Sequence, residues 1–303
     1  MIHPTAIIHP SAQIDPTVEI GPYVIIDGPV QIAAGCRIES HAQIVGRVVI
    51  GEQCVIGRAA MIGTDPQDLG FNPSTESSVI MGPRNVIREH VTIHRGSAVG
   101  SATRLGEGNF LMVGVHLAHD VQMGDKNILA NCCMLGGHIH LGSNTFIGGG
   151  AVFHQFIRIG DSCVIQGNGS FGKDIPHFSS AMRTNRITGL NIVGLRRQGF
   201  TAEQRASIKD LFHLLFCSGK NHTQALAAAR ERDWPEPASR LLAFASVPSA
   251  SQRIHLQSQH SVVLRELFKA LSEAFDCACS VLFISRSVAF FCWSKDVPRG
   301  QQH

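Results

Sequence analysis

The sequence predicts a mainly β chain wound as a parallel β-helix of hexapeptide repeats and followed by a C-terminal α-helical domain. Three observations predict it. Isoleucine occupies every sixth position from Ile2 through Ile8, Ile14, Ile20, Ile26, Ile32, Ile38, Ile44, Ile50 and Ile56 to Ile62. The beat resumes at Met81, Ile87 and Ile93, then runs in aliphatic or aromatic residues from Leu105 to Phe171. After about Pro176 it stops, and helix-start signals take over.

A period of six matches neither the 3.6 residues of a helical turn nor the alternation of a lone strand. It matches short strands joined by tight corners, each face turning one aliphatic side chain to the axis. Three hexads close a coil, and coils stack at ordinary strand spacing, about 4.8 Å. Two segments interrupt the beat, residues 64–80 and 96–104. Insertions in a solenoid become external loops, often at the binding face, with a merely tolerated insertion as the alternative.

Beyond the repeat, Thr201-Ala-Glu-Gln204 reads as a capping box opening a helix over 201–219. Further helices are predicted over 223–233 and 236–246. Residues 249–260 are polar and read as a linker. Val263, Leu264, Leu267, Phe268, Leu271 and Phe275 then recur at helical spacing, which predicts an amphipathic helix over 261–275. The expected organisation is a β-helix over 1–185, a helical domain over 186–250 and an extension over 251–303 with no assigned role.

Composition narrows the function. With 44% apolar and 16% charged residues the chain is no solvated disordered polymer. A net charge of +3, dispersed along the chain, argues against nucleic acid as partner. No apolar run approaches the roughly 18 residues of a membrane span; the most apolar stretch, 281–293, is shorter and carries Arg286. The N-terminus lacks a basic segment followed by an apolar one, so no signal peptide and a cytoplasmic location are expected. Nine cysteines without zinc-like spacing read as thiols in a reducing compartment.

Histidine is concentrated where chemistry could sit, at His90, His94, His116, His119, His138, His140 and His154. The hexads beginning at Leu117, Leu135 and Phe153 stack on one face. His119, His138 and His154 are therefore expected as a column there, among Gly136, Gly137 and Gly148 to Gly150. Such a column supports a general base with orienting groups. The alternatives are a polar ladder at a subunit interface, and zinc shared between subunits as in γ-class carbonic anhydrases. Asp120 can orient His119 only if a corner turns both side chains the same way, because neighbours on a strand point apart. Apolar residues expected on the outer face beside this column, such as Met112, Val113 and Val115, predict self-association.

Several motifs together carry a resemblance. They are Pro66-Gln67-Asp68-Leu69, Ile87-Arg88-Glu89, Val91-Thr92-Ile93-His94-Arg95-Gly96, His116-Leu117-Ala118-His119-Asp120, Ile128-Leu129-Ala130-Asn131, Gly137-His138, His154-Gln155-Phe156 and Asn191-Ile192-Val193-Gly194-Leu195-Arg196-Arg197. Over about residues 1–250 the chain resembles the acyl-carrier-protein–UDP-N-acetylglucosamine O-acyltransferases. The resemblance implies a left-handed parallel β-helix, working as a homotrimer with sites between subunits. It implies transfer of a 3-hydroxyacyl chain from acyl carrier protein to the 3-hydroxyl of UDP-N-acetylglucosamine, the first step of lipid A synthesis, with no cofactor and no metal. His119 resembles the general base, Asp120 its acidic partner, and the Gly137 N–H the oxyanion donor. Gln67, Asp68, His116, His138, His154 and Gln155 match positions that contact the nucleotide sugar. Asn191 and Arg197 match the uridine-diphosphate and carrier region, and Gly167 falls at the acyl-chain ruler. Arg158, Lys173, Arg183, Arg186, Arg196 and Arg197 are expected to receive the acidic carrier.

The chain departs from the family pattern at Gly70, Asn185, Val193 and Gln198. That leaves open a second acceptor, a 3-amino nucleotide sugar or the later N-acylation step. A metal-binding or non-catalytic β-helix trimer is the further alternative.

Overall fold

A computed structural model of the chain describes residues 1–248. The expected helix over 261–275 and the extension over 251–303 lie outside the described residues.

Beyond the first coil, each hexad buries two residues rather than one. Val18 and Ile20, Val24 and Ile26, Cys36 and Ile38, and Ala42 and Ile44 all point inward, because residues i and i+2 of a strand share a face. That corrects one expectation: Val115 is fully buried as the inward partner of Leu117, whereas Val113 is exposed. The strands are mostly two residues long, as at Gln13–Ile14 and His116–Leu117. Among the described residues they form three sheets of nine, eight and ten strands, one sheet per face. Successive coils pair parallel and in register, Ile8 opposite Ile26 and Leu117 opposite Leu135. The two insertions leave this register intact, since Ile62 pairs with Ile93 and Met81 with Leu105 across them.

Corners are made by residues in the left-handed region, among them Tyr23, His41 and Ala59 at φ of 58°, 62° and 53°. The coil below holds them, as in the bonds from His41 N–H to Pro22 O and from Ala59 N–H to Ser40 O. At another corner a buried asparagine ladder runs up the core. The Asn85 Oδ1 accepts from the Asn109 N–H and Nδ2, and the Asn109 Oδ1 accepts from the Asn127 N–H and Nδ2. Each amide thus satisfies backbone donors that burial would otherwise orphan, at a cost of about 1–3 kcal/mol per group.

The sheet continues past the boundary expected at residue 185. Ser179–Met182 pairs antiparallel with Arg186–Leu190. Among the described residues four helices follow: α1 (Ile192–Arg197), α2 (Ala202–Phe216), α3 (His222–Arg230) and α4 (Ala238–Ser246). Thr201 and Gln204 make the expected capping box, and Asn221 with Gln224 makes a second. The short α1 contains Gly194 and was not expected from the sequence, although Asn191 caps its start and Arg196 and Arg197 close it. Arg158 ties the last coils to the helices: it pairs with the buried Asp174 and lies over the Phe244 ring of α4 at 4.5 Å. Among the described residues no helix is long and apolar enough to cross a membrane.

Candidate active site

The sequence His119-Asp120 falls at a corner. Asp120 takes φ of 60°, and this left-handed residue turns the chain so that both side chains face the same way. His119 Nδ1 lies 2.9 Å from Asp120 Oδ2. Burial alone would raise the Asp120 carboxyl, but hydrogen bonds from Ser97, His119 and Ser101 outweigh it and hold the pKa at about 2. Asp120 is therefore ionised and accepts only. The proton between the pair belongs to His119 Nδ1, which leaves Nε2 with its lone pair free.

The coil above completes the site. Gly137 lies in register over His119, and its missing side chain is what admits the imidazole. A Cβ there would stand 2.6 Å from His119 Cε1 and 2.7 Å from Nε2. The flanking amides are used, Gly136 N–H to Phe153 O and His138 N–H to His119 O. The buried Gly137 N–H donates to no protein acceptor among the described residues. A buried donor without an acceptor, beside a histidine with a free lone pair, is what a developing oxyanion requires.

The expected three-histidine column is only partly formed. His138 meets His119 edge-on, with centroids 5.0 Å apart, but the next ring above it is Phe156, stacked at 4.6 Å. Coil register explains this, since Asp120, His138 and Phe156 share one corner position while His119, Gly137 and Gln155 share the next. His154 and Gln155 are exposed, and His154 Nδ1 lies 3.1 Å from Gln155 O. Burial first, then the charge of His119 and His140 against the pull of Asp120, leaves His138 below the ordinary histidine value.

Below the pair, His116 Nδ1 lies 2.7 Å from Thr92 Oγ1 and its ring meets His94 edge-on. Burial, with His94 adding to it, pushes the His116 pKa down to about 4, so it stays neutral. His94 Nδ1 contacts the Asp65 carbonyl, and Arg95 clamps the same inserted loop. Its guanidinium reaches Asp65 Oδ1 at 2.8 Å, Pro73 O at 2.7 Å and Thr75 O, and lies over the Phe71 ring. That loop carries Gln67 and Asp68, both exposed. Asp68 Oδ1 accepts from the Gly70 N–H to shape its tip.

Further up, a cavity of about 720 Å³ is lined by Lys126, Phe146, Asn191, Val193, Arg197 and Gln198, among others. Arg197 and Lys126 bring positive charge to it. Asn191 also serves the fold, since its Oδ1 caps α1 at the Gly194 N–H and its Nδ2 donates to Ser162 O. Gln198 is tied to Ser162 Oγ and Asn144 O and so links α1 to the coils. Asn185 accepts from the Gly172 N–H. At Gly167 a Cβ would stand 2.7 Å from Gly149 O, so close backbone approach also requires glycine there.

His119, Asp120 and His138 bring three ligand-type atoms within 4.8 Å of one another. Asp120 Oδ2, however, already accepts from the Ser97 N–H and Oγ and faces the His119 Nδ1–H. That carboxylate oxygen is committed to the serine and to His119, and the set suits proton transfer better than metal binding. Sequence reasoning missed Ser97, Thr103, whose Oγ1 accepts from the Asp120 N–H, and the clamp of Arg95. Only Arg95 left a trace, as part of a quoted motif.

Residues 174–255 match the family described as UDP N-acetylglucosamine O-acyltransferase, domain 2. The acyl-carrier-protein–UDP-N-acetylglucosamine O-acyltransferase of Synechocystis is 39% identical over 165 residues, 54% of this chain and 59% of that one. The chain thus spans less than two thirds of that relative. The enzyme of the same name from Janthinobacterium is 40% identical over 196 residues, 63% of this chain and 74% of that one. Among solved structures, the UDP-N-acetylglucosamine acyltransferase of Bacteroides fragilis superposes with a TM-score of 0.79 at 37% identity, covering 85% of this chain and 100% of that one. The O-acyltransferase of Moraxella catarrhalis gives 0.79 at 35% identity, covering 84% and 99%. These likenesses make the coil a left-handed one, an exception to the usual right-handed crossover.

Proposed function

The chain belongs to the UDP-N-acetylglucosamine O-acyltransferase family, and on that footing we propose that it transfers a 3-hydroxyacyl chain from acyl carrier protein to the 3-hydroxyl of UDP-N-acetylglucosamine, the first step of lipid A synthesis. The observation that carries the reading is the His119–Asp120 pair under the unpaired Gly137 N–H. His119 Nε2 takes the proton of the sugar hydroxyl as its oxygen attacks the thioester carbonyl. Asp120 fixes the tautomer and stabilises the imidazolium that forms. The Gly137 N–H receives the carbonyl oxygen as it gains charge, and the thiol of the carrier leaves with the proton that His119 holds. A positioned base supplies about 10²–10⁴-fold and an oxyanion donor about 10²–10³-fold.

His154 and Gln155 are exposed. Ile128, Phe146, Met134 and Val152 stay 37–49% exposed on the adjoining faces. Both features fit a homotrimer in which a neighbouring subunit completes each cleft with Gln67, Asp68, His154 and Gln155. The cavity at Arg197 then takes the nucleotide phosphates or the carrier, with Gly167 along the acyl path. The β-helix carries the chemistry, the helices that follow it meet the carrier, and the enzyme works in the cytoplasm.

The test is release of free carrier thiol from a panel of 3-hydroxyacyl carrier proteins, with and without UDP-N-acetylglucosamine, on material whose light-scattering mass is checked against the 32.7 kDa chain. Release that depends on the nucleotide sugar, from a species of three chains, is expected. Release from no chain length, or a stable monomer with full activity, would overturn the reading.

A further inference from the structure

The second inserted loop takes no part in the proton transfer just described, yet it ends on the catalytic pair. Ser97 N–H and Ser97 Oγ both donate to Asp120 Oδ2, at 2.9 and 2.6 Å, from 23 residues away in sequence. The loop is built to hold that serine. A Cβ on Gly96 would stand 2.2 Å from Ser101 Oγ, so only glycine lets the loop fold back so tightly. Ser101 Oγ in turn accepts from the Ala98 N–H, and the Gly100 N–H anchors to Glu76 O. From the other side Thr103 Oγ1 accepts the Asp120 N–H at 2.8 Å and is wholly buried.

We propose that Ser97 is a positioning residue for acyl transfer, gripping the Asp120 carboxylate by one oxygen so that the same oxygen meets His119 Nδ1 and the imidazole stands under Gly137. Asp120 sits in a strained left-handed corner, and its carboxylate can rotate about two side-chain torsions. Without Ser97 its side-chain partners would be His119 and Ser101. Two donors on one rigid loop fix the oxygen before substrate arrives, the preorganisation that a base needs. The loop is therefore part of the active site although it touches neither substrate.

The inference rests on His119 being the base, and the experiment separates the two. Steady-state kinetics are run on the full-length enzyme with Ser97→Ala, Ser97→Thr and His119→Ala, beside thermal melts and light scattering. Ser97→Ala removes the hydroxyl donor and leaves the Ser97 N–H. It is expected to lower kcat by about 10–100-fold, as misplacement of a catalytic group does, while KM for the nucleotide sugar stays within about twofold. Ser97→Thr keeps the hydroxyl and is expected to recover most of kcat. If His119→Ala is inactive but Ser97→Ala keeps wild-type kcat, the role of Ser97 is overturned and the base stands. If His119→Ala retains activity, the base reading itself falls. Equal loss in the Ala and Thr variants, following a lower melting temperature, would make Ser97 merely structural and would also overturn the inference.

Discussion

His119→Ala is expected to cut kcat by about 10²–10⁴ while leaving the melting temperature and assembly close to wild type, because it removes proton transfer and little packing. His119 side-chain exposure is only 16%, but its ring lies against the bare Gly137 rather than in the core. The core of the same coil is Val115 and Leu117, which the substitution does not touch. His138→Ala should be milder. Its ring meets His119 edge-on and its Nε2 is 3.7 Å from Asp120 Oδ2, so it supports the pair without the contact that Asp120 makes. Steady-state kinetics beside thermal melts check both. A His119→Ala enzyme within about tenfold of wild type falls short of any general-base contribution and would remove this histidine from the chemistry.

Gly137→Ala is the second large effect. One methyl group would stand inside van der Waals contact of three His119 ring atoms, at 2.6, 2.7 and 3.2 Å. The imidazole must swing off, and its bond to Asp120 breaks with it. The oxyanion donor stays in the chain but loses its geometry. The expected loss in kcat is at least the 10²–10³-fold typical of an oxyanion donor, with KM for the nucleotide sugar changed far less. Gly70→Ala makes the comparison, since its Cβ would meet only Asp68 Oδ1 at 3.5 Å. Equal activity of the Gly137→Ala and wild-type enzymes would show that neither the ring position nor the amide matters.

The fold was legible because its energetic rule is periodic. One inward isoleucine per face repeats with the coil, so Ile2 to Ile62 spells out the register directly. The second inward position was not legible, because the corner geometry admits valine, alanine, cysteine or asparagine there, as at Val18, Ala42, Cys54 and Asn109. For the same reason Val115 was expected outside and is found inside. The capping box at Thr201 was readable because it is a local signal, whereas α1 and the antiparallel hairpin before it depend on packing over the last coils.

The site divides in the same way. His119 and Asp120 are adjacent in sequence, and a corner was all that was needed to join them; the φ of Asp120 supplies it. The face shared by His119 and His138 followed from coil arithmetic. The one-residue offset between them did not, and it puts Phe156 rather than His154 on top of His138. Ser97 was invisible because its partner lies across an insertion that has no period. An interrupted repeat shows where a loop leaves the coil and says nothing of where its tip returns.

An ester formed at the sugar hydroxyl by His119 is the central claim, and the chemical nature of the product tests it most directly. Purified enzyme is incubated with UDP-N-acetylglucosamine and the best 3-hydroxyacyl carrier protein, and the nucleotide product is analysed by mass and by treatment with mild alkali. The predicted product is the nucleotide sugar carrying one 3-hydroxyacyl group, cleaved by alkali back to UDP-N-acetylglucosamine and absent with His119→Ala. A new nucleotide sugar that resists alkali would be an amide and would contradict the claim, as would an ester formed undiminished by the His119→Ala enzyme.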